Sequence, residues 1–258
     1  HSLVLAELQE KEHLERELEI ARTVQQRLLP AQEPRINGAE ISGICLPAFE
    51  VGGDYFDYFE LDHNKVGIAI ADVSGKGTSA AFYMAEIKGM MSSLAPVVNS
   101  PKKLLKVVNR RLYDSVDKQI FATMIYGILD TAKMEFVFVR AGHNALIVKR
   151  SHEKESDMLI PQGIGLGLSN DEFFDRYSDE IKLSLNPGDT LLFYTDGISE
   201  ARNTDREEFG EDRLCDLLVS QNSATPREMQ KNILKHVQEF TANAPQHDDI
   251  TMVLLKLD

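Results

Sequence analysis

Acidic side chains stand at the ends of successive apolar segments of this chain. Asp54 follows Gly52-Gly53 at the mouth of an aromatic run, and Asp72 ends Val66-Gly67-Ile68-Ala69-Ile70-Ala71. Asp196 ends Leu191-Leu192-Phe193-Tyr194-Thr195, while Asp248 and Asp249 precede Ile250-Thr251-Met252-Val253-Leu254-Leu255. Central apolar strands do not usually end in an unpaired carboxylate. Brought to one rim, four or five carboxylates would share a small volume, and their repulsion would have to be neutralised by protons or cations. With carboxylate, carbonyl and water oxygens and no His or Cys cluster, the ligand set suits Mg²⁺ or Mn²⁺ rather than zinc. Each Asp alone reads more simply as a turn or cap residue, as Asp196-Gly197 does. The chemistry therefore rests on the whole set, and on Gly52, Gly53, Gly75, Gly77 and Gly197, which let backbone come close to an ion or anion. The segment Asp72-Val73-Ser74-Gly75-Lys76-Gly77-Thr78-Ser79 ends a strand and opens a helix, so it also offers backbone amides to a phosphate. It is not a Walker A loop, because Lys76 is followed by Gly77 and the upstream glycine is missing.

Short runs rich in β-branched and aromatic residues would carry these carboxylates. Strands are expected over Glu40–Leu46, Asp54–Leu61, Lys65–Ala71, Gln119–Asp130, Lys133–Arg140, Asn144–Lys149, Ser178–Leu185, Thr190–Tyr194 and Ile250–Leu257. Helices are expected over Ser79–Ala95, Pro101–Val116, Glu211–Ser220 and Pro226–Thr241. Strands cluster, then helices, then strands again, the order of an α+β protein with largely antiparallel sheets. Ser151–Asp157 and Asn203–Asp212 read as solvated charged loops, and the glycines Gly163, Gly165 and Gly167 as a flexible loop rather than a nucleotide site.

Residues 1–30 form a separate expected unit, a linker helix ahead of a catalytic domain over residues 31–258. From Ser2 to Leu29 there is no Gly or Pro, and Pro30 ends the segment. A seam of Val4, Glu7, Lys11, Leu14, Leu18, Ala21, Gln25 and Leu28 is partly apolar, fitting a weak coiled coil or a helix lying on its own domain.

Composition narrows the class. Lys plus Arg is 28 against 41 Asp plus Glu, a formal charge of −13, which argues against gripping nucleic acid or an anionic membrane by bulk charge. No apolar run approaches the roughly 18 residues of a membrane helix. Cys45 and Cys215 are too few for a disulfide framework, which fits a reducing cytoplasm. The opening His1-Ser2, without Met or secretory signal, predicts a piece of something longer.

Five motifs taken in order resemble the bacterial branch of the PPM phosphatases, metal-dependent serine/threonine protein phosphatases related to protein phosphatase 2C. They are Gly52-Gly53-Asp54-Tyr55-Phe56-Asp57, Asp72-Val73-Ser74-Gly75-Lys76-Gly77, Ala141-Gly142-His143-Asn144, Tyr194-Thr195-Asp196-Gly197 and Asp248-Asp249-Ile250-Thr251. The resemblance, to SpoIIE/RsbU-like proteins, begins near Glu17, since Ala21–Pro30 is similar to that branch's linker. It implies an αββα sandwich with two Mn²⁺ or Mg²⁺ ions, a third being allowed. On it Asp72 would bridge both ions, the Val73 carbonyl and Asp54 would complete one, and Asp196 with Asp248 would hold the other. Asp249 stands where animal relatives have Asn, so the resemblance leaves both Asp248 and Asp249 as metal candidates, with Asp248 the favoured one. The substrate implied is a phosphorylated anti-sigma-factor antagonist, with an upstream sensor acting through the N-terminal helix of a homodimer. No Arg or His matches those with which animal relatives grip phosphate and protonate the leaving group. His143 reads as a turn residue before it reads as an acid, and His247 as a partner orienting a ligand. Two rivals are a catalytically silent adaptor of the same fold and a nucleotide cyclase; Tyr55 weakens the cyclase, since Gly52-Gly53-Asp54-Tyr55-Phe56 lacks its Glu.

Overall fold

The structure, a computed structural model, describes residues 2–115, 120–221 and 223–258, with side chains from residue 7 on. The expected helix end at Val116, the strand start at Gln119 and the Val4 side chain of the seam lie outside the described residues. Helix α1 (Ser2–Leu28) precedes strands β1 (Ala39–Leu46), β2 (Tyr55–Asp62) and β3 (Lys65–Val73). Helices α2 (Thr78–Leu94) and α3 (Pro101–Ser115) lead to β4 (Ala122–Asp130), β5 (Glu135–Ala141), β6 (Leu146–Lys149) and β7 (Ser156–Leu159). Then come α4 (Asp171–Arg176), β8 (Glu180–Ser184), β9 (Thr190–Tyr194), α5 (Asp196–Ser199), α6 (Glu211–Ser220), α7 (Pro226–Thr241) and β10 (Ile250–Leu257).

The strands form two antiparallel sheets, ordered β1-β10-β9-β6-β7 and β2-β3-β4-β5-β8. Period-2 alternation explains how they stack. In β3, Val66, Ile68 and Ile70 face the other sheet, while Ala69, Ala71 and Val73 face α2 and α3. In β10, Val253, Leu255 and Leu257 face between the sheets, whereas Met252 and Leu254 meet α6 and α7. Three apolar layers result, helix on sheet, sheet on sheet and sheet on helix, which is the expected αββα sandwich. Two antiparallel sheets of five strands leave no place for the cyclase reading.

Three expectations change. Ser151–Asp157 is not all loop: from Ser156 the chain forms the edge strand β7, pairing Leu159 with Leu146 and Met158 with Ile147. Charge on an edge strand hides its period, because only one face needs to be apolar. Asn203–Asp212 likewise gives its last two residues to α6. The Gly163–Gly167 stretch is pinned rather than flexible: buried Leu166 exchanges backbone bonds of 3.0 and 2.7 Å with Ala122. A helix was also missed. Asn170 caps α4 by accepting from the Phe173 amide at 3.0 Å, and Phe174 is buried beneath it; the Asn-Asp-Glu start was the available signal.

Helix α1 divides into two parts. Leu28 and Leu29 pack on the core, and Gln25 is buried, while Leu8, Leu14 and Ile20 remain exposed. Among the described residues, no helix is long and apolar enough to cross a membrane.

Candidate metal centre

The alternation that builds the sandwich also gathers the carboxylates. Asp72 keeps the parity of Ile68 and Ile70, so it points between the sheets just past the last apolar contact. Asp54 keeps the parity of Phe56, and Asp249 that of Thr251 and Val253. Tyr55 pairs with Ala71, so one further step sets Asp54 beside Asp72. Met252 pairs with Tyr194, which brings the start of β10 beside Thr195 and Asp196. All five predicted aspartates therefore reach one mouth of the sandwich, from four strand ends.

Electrostatics record the crowding. Burial first, then Asp196, Asp248 and Asp249, push the Asp72 carboxyl up to about 7, with Lys76 acting the other way. Burial and Asp72 together hold Asp54 well above the carboxylate range. Asp196 is raised by burial and Asp248. These groups resist ionising together, so a cation placed among them would be held against protons.

Each carboxylate has its own attachment. Thr195 donates to Asp54 Oδ2 at 2.7 Å, and the same hydroxyl accepts from the Thr251 amide at 3.1 Å. Asp249 Oδ1 accepts from the Ala48 amide at 2.8 Å and Oδ2 from the Asp54 amide at 3.3 Å. Both its oxygens are thus turned to the 47–54 loop. That loop comes so close that a Cβ on Gly52 would lie 1.9 Å from Asp249 Oδ2, so any larger residue there would push the Asp249 carboxylate off its amides. Asp248 differs: Oδ1 accepts from the Asp249 amide at 3.0 Å, and Oδ2 lies 3.4 Å from the Lys76 ammonium. The Val73 carbonyl faces Gly53, where a Cβ would sit 2.7 Å from it. Among the described residues no group of three or more His, Cys, Asp and Glu side chains is drawn tightly enough to hold an ion as it stands. Thr195, the Ala48 and Asp54 amides and Lys76 occupy the oxygens instead.

His143 is buried on the inner side of the site. Its Nδ1 meets Thr123 Oγ1 at 2.8 Å, and Thr123 is the cross-strand partner of Asp72. Burial pushes the imidazole down to about 3, so it stands neutral as a link between sheets and not as an acid facing the mouth. His247 contributes its carbonyl, which accepts from Lys76 at 2.8 Å. Sequence reading missed Gln25, whose side chain donates to the Gly52 carbonyl at 2.6 Å and accepts from the Gly52 amide at 3.0 Å. It also missed the buried pair beneath α2: Lys88 bonds Asp57, which also accepts from the Tyr55 hydroxyl at 2.7 Å. Asp57 lies within the first motif, and that is the only hint the sequence holds.

Helices outside two antiparallel sheets, with aspartates at one mouth, make this a PP2C-type phosphatase fold. The SiaA-PP2C domain of Pseudomonas aeruginosa superposes with a TM-score of 0.83 at 19% identity, covering 96% of this chain and 98% of that one. The PP2C phosphatase domain of SpoIIE from Bacillus subtilis, with a fragment of its regulatory domain, gives 0.74 at 21%, over 87% of this chain and 64% of that one. Residues 62–258 match the family described as Stage II sporulation protein E (SpoIIE). The chain belongs to that family of PP2C-type serine/threonine phosphatases. Phosphoserine phosphatase RsbU of Bacillus subtilis (strain 168) is 32% identical over 249 residues, covering 95% of this chain and 71% of RsbU. Phosphoserine phosphatase RsbP of the same organism is 26% identical over 250 residues, where the chain spans 59% of the relative.

Proposed function

We propose that this chain removes phosphate from phosphoserine or phosphothreonine on a small anti-sigma-factor antagonist, in a partner-switching pathway, using two Mn²⁺ or Mg²⁺ ions. The observation that carries the reading is the convergence of Asp54, Asp72, Asp196 and Asp248 at one mouth, where the raised carboxyls of Asp54, Asp72 and Asp196 call for cations. An all-oxygen donor set fits hard divalent ions. Asp72, central to the group, would be the shared ligand, with the Val73 carbonyl and Asp54 available to one ion and Asp196 with Asp248 to the other. Asp249, with both oxygens on backbone amides, shapes the 47–54 loop that carries Asp54. Held by these residues, such ions would supply an acidified water for in-line attack on phosphorus and neutralise the phosphoryl oxygens. The names of RsbU and RsbP as phosphoserine phosphatases support the substrate class.

Control runs through α1 in this reading. Its exposed Leu14 and half-buried Leu18, one turn apart on the same face, pair with a second copy, and an upstream sensor acts on that pair. Its far end reaches the centre through Gln25 on Gly52, two residues before Asp54.

Phosphate release from a phosphorylated antagonist, with Mn²⁺ and with chelator, tests the proposal. Release should need the ion and should be much faster than from a generic phosphopeptide. Full release in chelator would overturn the ion chemistry, and equal rates on both substrates would overturn the antagonist assignment.

A further inference from the structure

Five carboxylates carry more negative charge than two divalent ions neutralise, so a phosphate ester entering this mouth meets a field that is still negative. A cation from the chain is needed at the point of entry. Lys88 is committed to buried Asp57, and Arg202 pairs with Glu208 at 2.9 Å. Lys76 is placed differently. Its ammonium lies 3.4 Å from Asp248 Oδ2, 2.8 Å from the His247 carbonyl and 5.8 Å from the Phe49 ring centroid. Its side chain keeps 56% of its exposure. Gly75 and Gly77 flank it with φ of 98° and 70°, and neither would meet a neighbour within 4 Å on gaining a Cβ. The loop therefore has room to carry the ammonium from one anion to another.

We propose that Lys76 is a phosphate-gripping catalytic residue: it rests on Asp248 until an ion takes that carboxylate, then donates to the phosphoryl oxygens of the ester. This rests on the ion-dependent reading of the centre above. Lys76 and the ion compete for Asp248, so the chain's own cation holds the site while it waits. Once displaced, the ammonium stays at the rim, steered by the Phe49 face, and meets a dianion with charge-assisted hydrogen bonds.

Three proteins test this, wild type, Lys76→Met and Lys76→Arg, each by calorimetric titration with Mn²⁺ and by inhibition with inorganic phosphate during hydrolysis of p-nitrophenyl phosphate. Lys76→Met should bind Mn²⁺ several-fold more tightly, since a competitor is gone, while phosphate inhibits roughly 10- to 100-fold more weakly. Lys76→Arg should restore most of the phosphate inhibition. A mere tie between loops predicts that Lys76→Met weakens both affinities, and a mere counter-ion predicts tighter Mn²⁺ with unchanged phosphate; either result overturns the proposal. Wild-type protein that takes up no Mn²⁺ would overturn the ion-dependent centre itself, and the role of Lys76 with it.

Discussion

Adjacent aspartates at the start of β10 divide two tasks. Asp249 accepts from two backbone amides of the 47–54 loop and is buried, whereas Asp248 keeps Oδ2 toward the mouth, against a lysine. Asp249→Asn replaces one accepting oxygen by a donor facing an amide, so it should cost about 1–3 kcal/mol of stability, read as a shift in urea midpoint. Asp248→Asn should leave that midpoint nearly unchanged and instead weaken Mn²⁺ binding in calorimetry. Asp72→Asn should abolish turnover with the circular dichroism spectrum intact, because it removes the charge that both ions would share in the proposed centre; unchanged turnover would refute that bridging role. His143 sets a pH dependence of stability. Its folded imidazole stays neutral down to about 3, whereas the unfolded side chain takes a proton below 6.5. The unfolded state then binds more protons between those values, so stability is present above 6.5 and is lost as pH falls toward 3. Raised Asp54 and Asp72 contribute the opposite slope in chelator. The His143 contribution is therefore read as the difference between the urea-midpoint profiles of wild type and His143→Gln, which should widen in favour of the variant as pH falls below 6.5.

Elements transmit these side chains to one another through strand parity. One face of β2 gives Phe56 to the inter-sheet core and Asp54 to the centre, while the other turns Tyr55, Asp57 and Phe59 to α2. The Lys88–Asp57 pair there fixes α2 over β2, and α2 begins immediately after the Lys76 loop. Lys88→Met strands a buried carboxylate and should cost about 2–3 kcal/mol, below the full range for a buried pair because Lys88 retains some water. Adding Asp57→Asn should recover part of that loss, which a double-mutant cycle in urea would show. Gln25 does for α1 what Lys88 does for α2. Gln25→Ala leaves the Gly52 amide and carbonyl without partners, so it should lower stability by about 1–3 kcal/mol and weaken Mn²⁺ binding through the displaced Asp54.

At the scale of the whole molecule, the sandwich is self-sufficient and α1 is only half absorbed into it. Removing residues 1–19 deletes Leu14 and Leu18 but keeps Gln25, Leu28 and Leu29 on the domain. Buried across a two-fold axis, each Leu contributes about 1.5–3 kcal/mol before the cost of association, enough for a modest, switchable dimer. Sedimentation should therefore show the full chain as a dimer and the shortened one as a monomer of equal thermal stability. Identical sedimentation of the two would leave α1 as a tether.

The elements and the candidate chemistry were legible because they are local properties. Period-2 runs such as Thr190–Tyr194, capped helices such as Pro226–Thr241, and Gly-Asp punctuation at strand ends need only neighbours in sequence to be read. The αββα order and the five aspartates followed from these signals and from motif order together. Other features depended on residues far apart in the chain. Whether Asp248 or Asp249 faces the mouth is decided by the 47–54 loop, some 200 residues away, which claims both oxygens of Asp249. Whether α1 is seam or surface is decided residue by residue, where Gln25 meets the Gly52 backbone and Leu14 stays exposed. The pairing of Lys76 with Asp248 joins the two sheets at their open end. Such contacts obey charge and hydrogen-bond satisfaction across space, and no spacing along the chain encodes them.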